Sequence, residues 1–176
     1  MKFIFFGQTR ENFDDSARMW NKLIEEGKEA GMKPCDLGAR NSLRLEAGLP
    51  LYDHELTEKI TPLEAKIDFA VKLDKGNFVG REALLTQKKE GVSKKRIGIK
   101  MKEKGIPRGG CDLFRKSEEV GGVTSGGYSL LSETGIGMRY AFPELEIGEE
   151  IKVVIRKQEK KGVVEKWSFY EEVHDD

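Results

Sequence analysis

The pattern of the sequence changes at Gly91, and this change constrains the fold more than any other feature. Before Gly91, apolar residues recur at helical spacing; after it, short β-prone runs alternate with glycine pairs such as Gly121-Gly122 and Gly126-Gly127. Short strands separated by turn residues are typical of a small antiparallel barrel or sandwich. We therefore expect an α+β chain with a boundary near residue 90, in which residues 91–176 form the β-domain.

A strongly amphipathic helix is predicted near the start of the chain. Its apolar positions recur at helical spacing, and they are Ala17, Met19, Trp20, Leu23 and Ile24. Asp14 or Asp15 can cap the start of this helix, and Gly27 or Gly31 follows its last periodic residue. The apolar run Phe3–Phe6 predicts a strand, and such a strand needs a sheet to join.

Three further helical elements are predicted before Gly91. Leu37–Gly48 is typical of a helix ended by glycine and proline. Arg40 and Arg44 lie one turn apart in it, so both side chains project from the same side. Thr61-Pro62 indicates a helix start, and Gly80–Lys88 predicts a short amphipathic helix.

The clearest strands follow Gly91. Lys94–Met101 alternates apolar and polar residues, which predicts a half-buried strand. Ile151–Arg156 and Gly162–Lys166 predict two more strands. The charged run Lys157–Lys161 between them predicts a hairpin tip.

Composition excludes several classes of protein. Lysine plus arginine balance aspartate plus glutamate, 31 against 31, which argues against nucleic-acid binding driven by bulk charge. No run of about eighteen apolar residues exists, so no membrane span is expected. Cys35 and Cys111 form no C-x-x-C pair, and with only two histidines the chain offers no zinc-ligand pattern. We expect reduced thiols, no metal site and a cytoplasmic protein.

Four blocks of the sequence together resemble one family. They are LGARNSLRLEAGLPL with the YDHE that follows it (residues 37–55), ITPLEAKIDFAVKLDKGNFVGREALL (60–85), GIPRGG (105–110) and VGGVTSGGYS (120–129). Their order and spacing resemble the C-terminal half of the glycine cleavage T-protein family, the folate-dependent aminomethyltransferases. The resemblance implies that residues 1–90 are the end of a folate-binding α+β domain. Residues 91–176 would then be the C-terminal antiparallel β-barrel domain of the aminomethyltransferase type.

The resemblance also implies tetrahydrofolate as a substrate and three residues that hold it. Arg40 matches the arginine of the family's L-A/G-A-R-D motif, and an arginine can clamp the carboxylates of a folate tail. Arg108 matches an arginine in a rigid proline-glycine turn, and Tyr52 lies on the loop after the signature. Asn41 stands where the family has an acid, which loosens the expected placement of Arg40. His54 is more typical of a solvated loop histidine than of a general base.

Without the resemblance, the same three residues also fit structural roles that involve no ligand. Arg40 fits a surface or salt-bridged helix arginine, Arg108 fits an exposed turn, and Tyr52 fits core packing.

The function expected from the resemblance is that of a partial enzyme. The complete family transfers the methylene of an aminomethyl group, carried on the lipoyl arm of H-protein, to tetrahydrofolate with release of ammonia. The family's catalytic aspartate comes from its N-terminal half, so no catalytic residue is expected here. We expect a truncated or split aminomethyltransferase-like protein that is inactive alone. Its partners would be a separately encoded N-terminal half or a second copy, and lipoylated H-protein if it is active.

Two alternatives stay open from the sequence. One is a non-catalytic folate-binding or self-associating module derived from the family. The other uses relatives of the same architecture, the folate-dependent demethylases and the C-terminal regions of sarcosine and dimethylglycine dehydrogenases. The family assigns substrate choice largely to the half that this chain does not match.

Overall fold

The computed structural model describes residues 15–141, 145–166, 168 and 169 of the 176-residue chain. The chain divides into two compact units, residues 1–40 and residues 41–176. The predicted strand Phe3–Phe6 lies outside the described residues.

Helix α1 of the first unit spans Ser16–Glu26, as the sequence predicted. Asp15 holds the N-cap position and Gly27 the C-cap position. The Asp15 carboxylate makes no capping bond; instead it accepts hydrogen bonds from Arg18 Nε (3.1 Å) and Nη2 (2.8 Å). None of the eleven residues of α1 is buried.

Helix α2 spans Leu37–Glu46, two residues shorter than predicted. The Asp36 carboxylate accepts from the backbone N–H of Gly38 (2.8 Å), which satisfies a free donor at the helix start. At the other end Gly48 adopts φ +67°. Its N–H donates to Leu45 O (3.0 Å) and the next N–H donates to Arg44 O (2.7 Å), the two bonds of a Schellman motif. The glycine is therefore the stop signal itself, not the last helical residue.

The predicted helix start at Thr61 forms only one turn. Thr61 N–H donates to Glu64 Oε2 (2.8 Å) and Glu64 N–H donates to Thr61 Oγ1 (3.2 Å), which is a capping box. Lys66 then adopts φ +53°, which an α-helix does not allow, and a short 3₁₀ helix, Asp68–Ala70, follows. Helix α3 spans Arg81–Glu90 and confirms the predicted short helix.

The described residues of the second unit include an antiparallel sheet of seven strands. The strands are β1 Lys95–Met101, β2 Asp112–Arg115, β3 Glu118–Gly122, β4 Ser125–Ser129, β5 Thr134–Ala141, β6 Glu150–Ile155 and β7 Gln158–Glu165. Their order in the sheet is β3-β2-β6-β7-β1-β5-β4. Strand β3 also contacts β5, so the sheet curls into a half-barrel. The expected α+β class with an antiparallel β-barrel is confirmed.

The core lies inside the curled sheet. It consists of Ile97, Ile99, Met101, Leu113, Val123, Ala141, Leu145, Ile151, Val153 and Val164. A smaller cluster on the other side joins Leu45 of α2 to Ile136 and Met138 of β5. Apolar residues thus cover both faces of the central strands.

Strand β1 is buried on both faces, so the prediction of a half-buried strand is wrong. The apolar side chains of β1 enter the core. On the opposite face Arg96 is fully buried, and its guanidinium donates to Ala65 O (3.0 Å) and to Gly48 O. The alternation of apolar and polar residues correctly indicated a strand. It could not show that the polar face is buried too, because the sequence does not distinguish a buried arginine from an exposed one.

The β6–β7 hairpin turns at Arg156-Lys157, where φ is +51° and +65°. Two consecutive residues with positive φ form the type I′ turn that joins antiparallel strands tightly. Strand β7 therefore begins at Gln158, and most of the run predicted as a tip belongs to the strand.

Candidate functional site

A buried ion pair joins helix α2 to the loop that follows it. Arg44 Nη1 donates to Glu55 Oε2 at 3.1 Å, and the Glu55 side chain is 0% exposed. The same oxygen accepts from Leu51 N–H (3.0 Å), and Oε1 accepts from Thr124 Oγ1 (2.6 Å). Both carboxylate oxygens thus have donors, which offsets the cost of burying the charge.

The Arg44 guanidinium also donates to other groups, among them Leu49 O (3.4 Å). Its Nε and Nη2 donate to Asn41 Oδ1 (2.9 and 2.7 Å), and Nη2 also donates to Ser125 Oγ (3.0 Å). Asn41 is therefore a hydrogen-bond acceptor for Arg44, which lies one turn further along the helix. An amide in place of the family's acid keeps this acceptor, so the expectation that Asn41 affects the placement of Arg40 misassigns its contact.

Tyr140 of β5 completes this polar cluster. Its hydroxyl donates to Glu55 O at 2.8 Å. Burial raises the pKa of Tyr140 to about 12, so the phenol keeps its proton throughout the neutral range. The cluster of Asn41, Arg44, Glu55, Thr124, Ser125 and Tyr140 is internally satisfied. It fixes the loop against β4 and β5 and leaves no side chain poised for proton transfer.

The loop held by this cluster carries Tyr52. Backbone bonds from Glu55 N to Leu51 O (2.9 Å) and from Asp53 N to Leu56 O (3.0 Å) close it tightly. Tyr52 is 68% exposed, which excludes core packing as its role. His54 Nδ1 lies 3.2 Å from Thr124 O, so its ring rests against the start of β4.

A second loop presents Arg108. Pro107 is fully buried beneath it, while Arg108 is exposed. Gly126 of β4 and Gly135 of β5 lie directly against the backbone of this loop, because a Cβ at either position would collide with a loop carbonyl oxygen. Two close glycine approaches and one buried proline therefore anchor the loop and leave the guanidinium outside.

The loops of Tyr52 and Arg108 meet at one place, the residues just before β4. His54 contacts Thr124 O, and Gly110 N–H donates to Val123 O at 2.8 Å. The second unit thus presents a phenol and a guanidinium from two loops with a common support. Arg40 is exposed on α2 and belongs to the first unit. The folate-binding role of these three residues stays a prediction.

A cavity of about 260 Å³ lies elsewhere in the second unit. It is lined by Pro62, Leu63, Asp68, Val71, Leu73, Asp74, Leu84 and Lys88. None of the three predicted site residues lines it.

Among residues 15–141, 145–166, 168 and 169, no group of histidine, cysteine, aspartate and glutamate side chains could hold a metal ion. No helix in the described part of the chain is long and apolar enough to cross a membrane.

Two family models match the chain in succession. The GCVT N-terminal domain matches residues 12–75, and the glycine cleavage T-protein C-terminal barrel domain matches residues 94–171. The chain belongs to the glycine cleavage T-protein family. It corresponds to the C-terminal half of that family, as the four sequence blocks indicated.

Individual T-protein relatives support the same assignment. The chain is 46% identical over 160 residues to an aminomethyltransferase of Thermoanaerobacter pseudethanolicus, covering 88% of this chain and 42% of the relative. It is 44% identical over 168 residues to a probable aminomethyltransferase of Pyrococcus horikoshii, covering 90% and 42%. The chain therefore spans less than half the length of the curated relatives it matches.

A solved structure agrees with the fold. The glycine cleavage system aminomethyltransferase T of Bartonella henselae superposes with a TM-score of 0.79 at 29% identity, covering 89% of this chain and 44% of that one.

The contacts of the polar cluster were not predicted from the sequence. Arg44, Glu55 and Thr124 all lie inside the blocks that resemble T-proteins, but 69 residues separate Glu55 from Thr124. Nothing local links a loop glutamate to a threonine at a strand start. The one available signal was the i, i+3 spacing of Asn41 and Arg44.

Proposed function

We propose that this chain contributes the C-terminal half of a glycine cleavage aminomethyltransferase. In this proposal residues 1–90 are part of its folate-binding α+β domain, and residues 91–176 are its barrel domain. The successive family matches and the similarity to aminomethyltransferases support it. The proposed partners are a polypeptide carrying the N-terminal half, or a second copy of the chain, and lipoylated H-protein.

The proposed substrate is tetrahydrofolate, held by Arg40, Arg108 and Tyr52. The observation that carries this proposal is the pair of anchored loops that meet before β4 and expose Tyr52 and Arg108. A folate has a flat pterin, which can stack on a phenol ring, and a glutamate tail, whose carboxylates pair with guanidinium groups. Since backbone contacts already anchor the two loops, binding such a ligand need order only the side chains of Tyr52 and Arg108.

In the complete reaction these residues position the substrate and make no bonds. A ring nitrogen of tetrahydrofolate bonds to the methylene carbon of the lipoyl-bound aminomethyl group as the bond to ammonia breaks. The anilino nitrogen then bonds to the same carbon as the carbon–sulfur bond breaks, and the protons lost by the two nitrogens pass to the departing ammonia and lipoyl thiolate, which leaves methylenetetrahydrofolate. Positioning lowers the barrier because the reacting atoms are held together before the step. The aspartate that the family uses has no counterpart in this chain, so we expect no transfer by the chain alone.

The proposal is tested by isothermal titration of tetrahydrofolate into the purified chain. We expect binding, and we expect Arg108→Ala to weaken it roughly tenfold or more, as expected for a charge-assisted hydrogen bond. Arg18→Ala is the matched control, because Arg18 is an exposed arginine on α1 outside both loops. Equal affinities for the wild type and Arg108→Ala would rule out Arg108 as a folate ligand.

A parallel assay tests whether the chain alone catalyses the transfer. The chain is mixed with tetrahydrofolate and aminomethyl-loaded H-protein, and methylenetetrahydrofolate is measured. We expect none above the uncatalysed background, and product formation by the chain alone would contradict the proposal. Light scattering on the same sample tests the self-associating alternative.

A further inference from the structure

His54 lies where the loops that expose Tyr52 and Arg108 come together. Its ring nitrogen Nδ1 is 3.2 Å from Thr124 O. Gly109, the residue after Arg108, approaches the same oxygen so closely that an added Cβ would lie 3.0 Å from it. One carbonyl oxygen thus contacts both the His54 ring and the backbone beside Arg108, which places the imidazole at the base of the Arg108 loop.

The contact with Thr124 fixes which nitrogen of His54 carries the hydrogen. A carbonyl oxygen can only accept, so Nδ1 must donate. In the neutral imidazole Nε2 is then the acceptor. Among the described residues no group bonds to Nε2, and the side chain is exposed. The fold therefore holds a hydrogen-bond acceptor in solvent beside the loop of an exposed guanidinium.

A guanidinium and an acceptor at neighbouring positions select a particular arrangement of groups in a ligand. Arg108 pairs with a carboxylate, and His54 needs an N–H or O–H donor close to that carboxylate. In a folate an amide joins the glutamate tail to the rest of the molecule, and its nitrogen is bonded to the carbon that bears the α-carboxylate. This amide N–H is therefore the folate donor nearest to the carboxylates.

We propose that His54 is a ligand-contacting residue of the folate site, whose Nε2 accepts a hydrogen bond from the amide N–H of the glutamate tail while Arg108 pairs with a tail carboxylate. The two residues together recognise an N-acylglutamate. This inference rests on the proposed function and assigns the tail of the substrate to one part of the site. His54 acts here as an acceptor and not as a base, because no proton is transferred.

Two substitutions separate this role from a structural one. In His54→Asn the amide N–H takes the place of Nδ1–H and can still donate to Thr124 O, but no atom replaces Nε2. His54→Ala loses both groups. Equal binding by the wild type and His54→Asn is therefore the result expected of a residue that only anchors the loop.

The probe is p-aminobenzoylglutamate, the tail of folate without its pterin. It is titrated into the full chain at mildly alkaline pH, where imidazole is neutral, and binding is followed by NMR. We expect His54→Asn to weaken binding roughly three- to tenfold, the usual contribution of one neutral hydrogen bond, with an unchanged melting temperature.

A change in the ligand provides the matched control. Replacing the amide N–H of the probe by an ester oxygen removes the proposed donor. We expect the ester to bind the wild-type chain more weakly than the amide by a similar factor. The two ligands should bind His54→Asn equally, because the change in the protein and the change in the ligand remove the same hydrogen bond.

Three results would overturn the proposal. One is that His54→Asn binds the probe as tightly as the wild type, and another is that the ester loses the same affinity in His54→Asn as in the wild type. The third is a chain that binds tetrahydrofolate but not the probe.

Failure here is distinguishable from failure of the proposed function. A wild-type chain that binds neither the probe nor tetrahydrofolate has no folate site, and both proposals are then wrong. Tetrahydrofolate binding that Arg108→Ala weakens and His54→Asn leaves unchanged would overturn this inference alone.

Discussion

At the scale of single residues, the buried carboxylate of Glu55 holds together the polar cluster beneath the Tyr52 loop. Glu55 is fully buried and takes donors from α2, from its own loop and from the start of β4. A buried carboxylate with every oxygen satisfied contributes little net stability, but removing one partner leaves the other charge unpaired. The ion pair with Arg44 therefore acts mainly as a constraint on where the Tyr52 loop lies.

The first prediction concerns this pair. Glu55→Gln keeps the shape of the side chain and removes its charge, so the Arg44 guanidinium, only 11% exposed, loses its ion pair with Glu55. We expect a loss of roughly 3 kcal/mol in the free energy of unfolding, measured by urea denaturation. Glu159→Gln is the control, since its pair with Lys152 is exposed and should change stability by less than about 1 kcal/mol. Equal losses in the two variants would contradict the role given to Glu55.

The second prediction concerns the support of Arg108. Gly126→Ala puts a methyl group against the carbonyl oxygen of Pro107, which is backbone and cannot rotate away. The loop must shift, so we expect a loss of roughly 1–3 kcal/mol in stability and weaker tetrahydrofolate binding. Gly122→Ala is the control, because its added methyl meets no atom nearer than 3.6 Å. An unchanged affinity of the Gly126→Ala variant for tetrahydrofolate would show that the position of the Arg108 loop does not affect folate binding.

At the scale of elements, the sequence predicts those whose signals are local. Helix α1, helix α3 and the strands β1, β6 and β7 follow from periodicity and turn residues, and the structure contains all of them. The helix start at Thr61 was also a correct local signal. The helix ends after one turn because Lys66 adopts a positive φ, and at this point Arg96 of β1 donates a hydrogen bond to Ala65 O.

What the sequence does not predict depends on contacts between distant segments. The burial of Arg96 needs the carbonyl groups of residues 48 and 65 to converge on it. The glycines at 126 and 135 look like turn residues, yet they are strand positions that admit the Arg108 loop. In both cases the sequence pattern is ambiguous: the arginine could be exposed or buried, and the glycines could lie in turns or in strands. The contacts made by the folded sheet decide between these alternatives.

The third prediction concerns the link between β2 and the turn before β6. Arg115 Nε donates to Glu149 Oε1 at 2.5 Å, and this bond lowers the pKa of the Glu149 carboxyl below its ordinary value of 4.5. A carboxyl with a lowered pKa in the folded state stabilises the fold above the ordinary value. That stability is lost as the pH falls through the lowered pKa.

Arg115→Ala should therefore reduce stability at neutral pH, and its deficit relative to the wild type should shrink as the pH falls below about 4.5. The measurement is urea unfolding of both proteins between neutral pH and the onset of acid unfolding. Glu149→Gln removes the titrating group and should abolish this part of the pH dependence. A deficit that stays constant with pH would mean that Arg115 acts by packing alone.

At the scale of the whole molecule, the two units differ in how deeply their described residues are buried. The curled sheet of the second unit has its own apolar core. Helix α1 has an apolar stripe and buries nothing. The described apolar core of the molecule therefore lies in the second unit.

The last prediction rests on the proposed function, in which this chain and a polypeptide carrying the N-terminal half form one enzyme. A ligand held by Arg108 and Tyr52 on this chain and by the pterin pocket of the other half binds the joined state more tightly than either half. Thermodynamic linkage then requires that tetrahydrofolate strengthens association of the halves by the same factor by which association strengthens folate binding. We expect a factor of roughly 5–150, the usual range of such couplings.

The measurement is the dissociation constant of the two halves with and without saturating tetrahydrofolate, alongside the folate affinity of the chain alone and of the complex. The two ratios must agree. Arg108→Ala should reduce the coupling, because this variant lacks the guanidinium proposed to hold the ligand. Tetrahydrofolate that binds the chain but leaves association of the halves unchanged would show that the ligand contacts one half only, and the folate site would then be complete on this chain.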